Sequence, residues 1–204
     1  NGGWSYSWQG NNVEKFSEQY NTILEAMTNK FGSDNIIFEH GVAYEEHKEW
    51  TAEDASGIEK AVAQAKDVDY IIACVGENSY AETTGNISDL NLSSNQKLLV
   101  KRLQETGKPV ILILNEGRPR LIHDLVDGCK AIVNIMLPGN YGGDALADLL
   151  SGDENFSGRL PFTYPSHPNS FTTYDFKVCE ARETMPGTYN YEAHTNTQWW
   201  FGEG

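Results

Sequence analysis

Positive charge is scarce in this chain. Fifteen Lys and Arg residues face 29 Asp and Glu over 204 residues, a formal net charge of −14. Nucleic acids and anionic lipid surfaces are held by clustered Lys and Arg, so both are excluded as expected partners. Long apolar runs are missing as well. No stretch approaches the roughly 20 residues of a bilayer span, and membrane insertion is not expected. Cysteine is sparse. Cys74, Cys129 and Cys179 form no Cys-x-x-Cys pair and no Cys/His spacing suited to a metal, and buried free thiols are expected at the first two. The five histidines are scattered, and none is assigned a role. Gly-x-Gly-x-x-Gly, Gly-x-x-x-x-Gly-Lys-Ser/Thr and Gly-x-Ser-x-Gly are all absent. That excludes the dinucleotide fingerprint, the P-loop and the strained serine elbow. No cofactor is expected.

What the chain does have is an alternation of apolar runs and amphipathic segments. Residues 70–75 and 110–114 are uninterrupted apolar stretches, and 131–135 is a third such run broken only by Asn134, the pattern of strands buried on both faces. Residues 35–38 predict a further short strand. Helical spacing of apolar residues marks 13–31, 54–66, 93–106, 120–126 and 143–150. The order predicts an α/β fold, a mostly parallel sheet sandwiched between helices. From about Gly158 onward the periodicity fades and Pro, Thr, Tyr, Asn and Trp accumulate. Residues 1–160 are therefore expected to form the sandwich. Residues 161–204 are expected as an irregular C-terminal extension, long surface loops packed on the sandwich or on a missing domain.

In open α/β sheets, ligands bind beyond the carboxyl ends of strands. Three segments fall there: residues 76–85, with Glu77, Tyr80 and Glu82; residues 115–119, with an acid and a cation; and residues 136–140. The first is a candidate for acid/base chemistry or a loop of solvated charges. The other two also suit ordinary turns. Near the start, Trp4, Tyr6 and Trp8 lie among glycines. Flat aromatics on such a loop suit the C–H faces of sugar rings, or they plug the loop onto the core.

Taken in order, the motifs resemble a known family. Gly-Gly-Trp-x-x-x-Trp-Gln-Gly at 2–10, Thr-Ile-Leu-Glu-Ala at 22–26 and Val-Gly-Glu-x-x-Tyr-x-Glu-x-x-Gly at 75–85 come first. Gly-Arg-Pro at 117–119, Leu-Pro-Gly at 137–139 and Gly-Arg-Leu-Pro at 158–161 follow. The series resembles the second, α/β-sandwich domain of glycoside hydrolase family 3, the β-glucosidases and exo-β-glucanases. Arg-Glu-Thr-Met at 182–185 and the closing Trp-Trp-Phe-Gly at 199–202 fit bacterial members of that family.

The resemblance implies a retaining β-glycosidase that removes terminal β-linked glucose from oligosaccharides. A preceding (β/α)8 barrel would carry the aspartate nucleophile. Glu82 matches the general acid/base, and Trp8 the tryptophan that stacks on the sugar beyond the scissile bond. Glu77 matches a motif position without an assigned catalytic role. The resemblance also implies a periplasmic or secreted protein. Two departures stand out. Asn86 occupies a place where the family often has Asp, and neither the barrel nor the domain's usual first strand precedes Gly2. The expectation is thus a piece of an enzyme, inactive alone. The alternatives are a non-catalytic carbohydrate-binding or interaction domain and an unrelated doubly wound binding module.

Overall fold

A computed structural model of the chain describes residues 4–168 and 196–204. Cys179, His194 and the 182–185 motif lie outside them. At the centre, β3 (Ile71–Gly76), β4 (Val110–Asn115) and β5 (Ala131–Asn134) form a parallel sheet in that order. Ile71 pairs with Val110 and Ile111 with Ala131, so the carboxyl ends of β3 and β4 finish level at Gly76 and Asn115.

The middle strand shows why the run at 110–114 has no polar alternation. Successive side chains point to opposite faces, and both faces are covered. Val110, Leu112 and Leu114 join a core with Ile58 and Val62 of α2 (Ile58–Gln64) and Leu99, Val100 and Leu103 of α3 (Ser94–Gln104). Ile113 joins a second core with Ala26 and Met27 of α1 (Ile23–Phe31) and Leu146 and Ala147 of α5 (Gly142–Ser151). Each fully buried aliphatic chain contributes about 1.5–3 kcal/mol. The fold is the expected α/β sandwich.

Several elements differ from the sequence expectation. The helix expected over 13–31 begins only at Ile23, after a 3₁₀ turn at Glu14–Phe16. Thr22 and Glu25 form a reciprocal capping box there, and this local hydrogen bonding fixes the start. Asn35 closes a 3₁₀ turn at Ser33–Asn35, and residues 36–38 join no sheet among the described residues. A strand needs a ladder partner, and these residues instead flank an open groove of about 1770 Å³ along the free edge of β3. Cys74 lines that groove and is exposed to it, contrary to the buried thiol expected, while the protein packed around the thiol still pushes it up to about 11. Two short antiparallel pairs are not legible in the sequence: β1 (Ala43–Tyr44) with β2 (Glu53–Asp54), and β6 (Tyr164–Pro165) with β7 (Thr197–Trp199).

The start of the C-terminal segment is core, not surface loop. Phe162 and Tyr164 are among the most buried side chains of the first core. The helix expected over 120–126 is the short α4 (His123–Val126). No described helix is long and apolar enough to cross a membrane.

Candidate active site

The three loops expected on one rim do meet there. The Glu77 amide donates to the carbonyl of Asn115, and the Glu116 amide to the carbonyl of Met136, so each loop is stitched to the next. Gly76 must be glycine. Its φ is +146°, and a Cβ there would lie 1.9 Å from the Asn115 carbonyl oxygen. The buried Gln96 amide reads the same residue on both sides, accepting from the Gly76 N–H at 2.7 Å and donating to its carbonyl at 3.0 Å.

Behind the rim lies a charged cluster. The Glu77 side chain is buried and receives only donors. Gly117 N–H reaches Oε2 at 2.9 Å and Tyr80 Oη reaches it at 3.2 Å. Arg118 Nε and Arg120 Nε both reach Oε1 at 2.9 Å, and their Nη2 atoms approach to 2.7 and 2.5 Å. Two guanidinium forks on one buried carboxylate satisfy it fully. Removing one partner of such a pair is strongly destabilising. Glu77 is therefore built into the scaffold. It neither faces solvent nor has a free oxygen with which to trade a proton.

Glu116 is the second buried acid, fully inaccessible, and its surroundings differ. Oε1 lies 2.8 Å from Tyr164 Oη and 3.3 Å from Asn134 Nδ2, while Oε2 accepts from the Arg120 amide at 3.3 Å. Burial pushes its carboxyl up to about 8, against the lowering effect of the Tyr164 and Arg120 hydrogen bonds. Burial also raises the Tyr164 phenol well above its usual range.

The loop of the candidate acid/base wraps over this cluster. Glu82 opens a 3₁₀ turn at Glu82–Gly85, is exposed, and makes no side-chain hydrogen bond or ion pair among the described residues. Its φ is +54°, an uncommon conformation for a residue with a Cβ. Met136, at the end of the third loop, has φ +52°. Strained non-glycine residues of this kind persist where surrounding contacts hold them, and they cluster at functional sites.

The aromatic loop joins the same rim at the 136–140 loop. The Tyr6 amide donates to Asn140 Oδ1 at 3.0 Å. Trp4 packs over Gly10, where a Cβ would fall inside its ring, and is 39% exposed. Trp8 is 76% exposed. Of the two tryptophans, Trp4 is thus tethered to its own loop and Trp8 is presented to solvent. A core plug is not what Trp8 forms in this chain.

Sequence reasoning placed the three loops correctly but not the cluster beneath them. Arg118 was visible within Gly-Arg-Pro. Arg120 stood at the start of an expected helix, and Tyr164 in an expected surface loop. Nothing local in the sequence signals that both arginines turn inward onto Glu77. Among the described residues no group of three or more His, Cys, Asp or Glu could hold a metal ion.

Comparison with known proteins gives the family of this fold. Residues 1–204 match the Glycosyl hydrolase family 3 C-terminal domain. The chain is 39% identical over 191 residues to the lysosomal beta glucosidase of Dictyostelium discoideum, covering 91% of this chain and 23% of that protein. It is 35% identical over 118 residues to the periplasmic beta-glucosidase of Salmonella typhimurium, covering 57% of this chain and 15% of that protein. The beta-glucosidase from Listeria innocua, solved in complex with glucose, superposes with a TM-score of 0.65 at 27% identity. That superposition covers 77% of this chain and 23% of the other. The chain spans less than a quarter of the length of each of these relatives. The chain belongs to the C-terminal domain family of glycosyl hydrolase family 3.

Proposed function

We propose that this chain supplies the general acid/base of a retaining β-glycosidase that releases terminal β-linked glucose. Its partner in the reaction is an aspartate on a (β/α)8 barrel domain. The observation that carries this reading is the exposed, strained Glu82 on a loop held down at the carboxyl-end rim. Glu77, the other acid of that loop, is buried under two arginines and is unavailable. Of the two carboxylates of this loop, Glu82 is the exposed one.

The steps follow from that division of labour. The aspartate carboxylate attacks the anomeric carbon and forms a C–O bond as the glycosidic C–O bond breaks. Glu82 gives its proton to the departing oxygen. Glu82, now a carboxylate, then takes a proton from water as the water oxygen displaces the aspartate, which restores both groups. Retention requires the two carboxyl groups about 5–5.5 Å apart, so docking of the barrel completes the site. Trp8 stacks on the sugar beyond the scissile bond. Residues 161–204 serve as an extension of the sandwich, anchored by Phe162 and Tyr164. A periplasmic or secreted location fits the Salmonella relative's name.

The test is a leaving-group series on the complete enzyme. General acid assistance is worth about 10²–10⁴-fold and matters least where the leaving group departs readily. Glu82→Ala is expected to lose most activity on alkyl glucosides and disaccharides and least on nitrophenyl glucosides. Equal losses across the series would remove Glu82 from the role.

A further inference from the structure

Arg118 touches three parts of the loop that carries Glu82. Its Nη1 donates to the carbonyl of Gly85 at 2.5 Å, at the far end of the Glu82–Gly85 turn. Its guanidinium carbon sits 4.1 Å from the centroid of the Tyr80 ring, two residues before Glu82. Its Nε donates to Glu77 Oε1 at 2.9 Å, at the root of the loop. Gly117, beside Arg118, is the reason Tyr80 can lie so low. A Cβ on Gly117 would come within 2.5 Å of Tyr80 Oη. Tyr80 is also flanked by Trp50, with ring centroids 5.7 Å apart.

We propose that Arg118 is a positioning residue for Glu82: by tying the Gly85 carbonyl and the Tyr80 ring to the buried Glu77 carboxylate, it fixes the turn whose first residue is Glu82. This rests on the acid/base reading of Glu82. Glu82 itself has no side-chain partner among the described residues, and its backbone is in a conformation that a free loop would leave. The restraint must come from the loop's neighbours: the Tyr80 ring lies against Gly85, and Arg118 holds both, bonding the Gly85 carbonyl while stacking on that ring. Lysine cannot replace it. A single ammonium has no planar fork to bond carboxylate and carbonyl together while stacking on a ring. Arg120 differs in kind. It shares Glu77 but otherwise reaches backbone carbonyls at Asp89 and Asn91, away from the turn.

The experiment is a double-mutant cycle in the complete enzyme, with Arg118→Lys and Glu82→Ala, followed on a disaccharide and on an activated nitrophenyl glucoside. The expected result is a 10- to 100-fold fall in kcat on the disaccharide for Arg118→Lys, with KM within about threefold of wild type. The effect on the glucosylation of the enzyme by the nitrophenyl substrate should be much smaller. In the Glu82→Ala background, Arg118→Lys should bring little further loss, because there is no longer a carboxyl to misplace. Equal losses in both backgrounds, or an Arg118→Lys enzyme with wild-type kcat on the disaccharide, would overturn the proposal. Failure of the underlying assignment looks different: Glu82→Ala alone would then show no leaving-group dependence, and both readings would fall together. Melting temperatures of the four proteins separate misfolding from misplacement, since a merely structural Arg118 lowers activity on both substrates alike.

Discussion

The Tyr164 hydroxyl has one proton and two oxygens within reach, Glu116 Oε1 at 2.8 Å and the Arg120 carbonyl at 2.6 Å. If the phenol donates to the carbonyl, the contact with Glu116 is satisfied only by a proton on Glu116. The carboxyl raised to about 8 by burial supplies it. With the phenol donating to the carbonyl, hydrogen bonding and burial agree on a neutral acid at the base of the rim; a phenol donating to Glu116 instead favours its ionised form.

That agreement gives a stability prediction. Folded Glu116 holds its proton up to about pH 8, whereas its ordinary value is 4.5. Between these values the folded state binds the extra proton, so this group's contribution to stability is complete below about pH 4.5. It is lost as pH rises toward 8. The slope is at most about 1.4 kcal/mol per pH unit. Glu116→Gln cannot ionise, and its amide can donate to Tyr164 as the protonated acid does. Its unfolding free energy should lack this slope and overtake wild type toward pH 8. Parallel curves for the two proteins across pH 5–8 would show that Glu116 is ionised in the fold.

Gly76→Ala tests the stitching of the first two loops. An added methyl meets the Asn115 carbonyl, and φ is unfavourable for any side chain. The variant should lose more than about 1 kcal/mol in denaturant unfolding. An unchanged midpoint would mean that the rim has slack at this point.

Trp8 and Trp4 should respond differently to truncation in the complete enzyme. Trp8 is 76% exposed, so Trp8→Ala should leave the melting temperature near wild type. It should weaken disaccharide turnover several-fold to tenfold more than that of aryl glucosides, since stacking is worth on the order of 1 kcal/mol. Trp4 packs on its own loop, and Trp4→Ala should disturb both substrates alike. A destabilised Trp8→Ala protein with unchanged relative specificity would sink the stacking role.

Much of this architecture could be read from the sequence because its signals are local. Three largely apolar runs mark the three parallel strands, and the loops after them mark the rim. The cluster beneath could not be read in this way. Arg118 and Arg120 look like surface cations, and Tyr164 like a loop residue, until tertiary packing turns them onto Glu77 and Glu116. The start of α1 shows the same limit on a smaller scale. Apolar spacing continues back to Phe16, but the Thr22–Glu25 capping box overrides it. Residues 36–38 have strand composition without a strand to pair with among the described residues. Sequence pattern reports which residues want burial, and only assembly decides what buries them.

The purified 204-residue chain should not hydrolyse aryl β-glucosides, because the nucleophile is assigned to the barrel. Turnover by this chain that Glu82→Ala abolishes would place the whole active site here.

The central claim, that Glu82 is the acid/base, is tested most directly by azide in the complete Glu82→Ala enzyme. With the nucleophile intact, the sugar is still transferred to the enzyme from a nitrophenyl glucoside. It then waits for an acceptor that needs no general base. Azide is such an acceptor, and it attacks from the face that water would use. The account predicts a rise in turnover with azide and accumulation of β-glucosyl azide, detected by NMR. No rescue, or an α-glucosyl azide product, would contradict it.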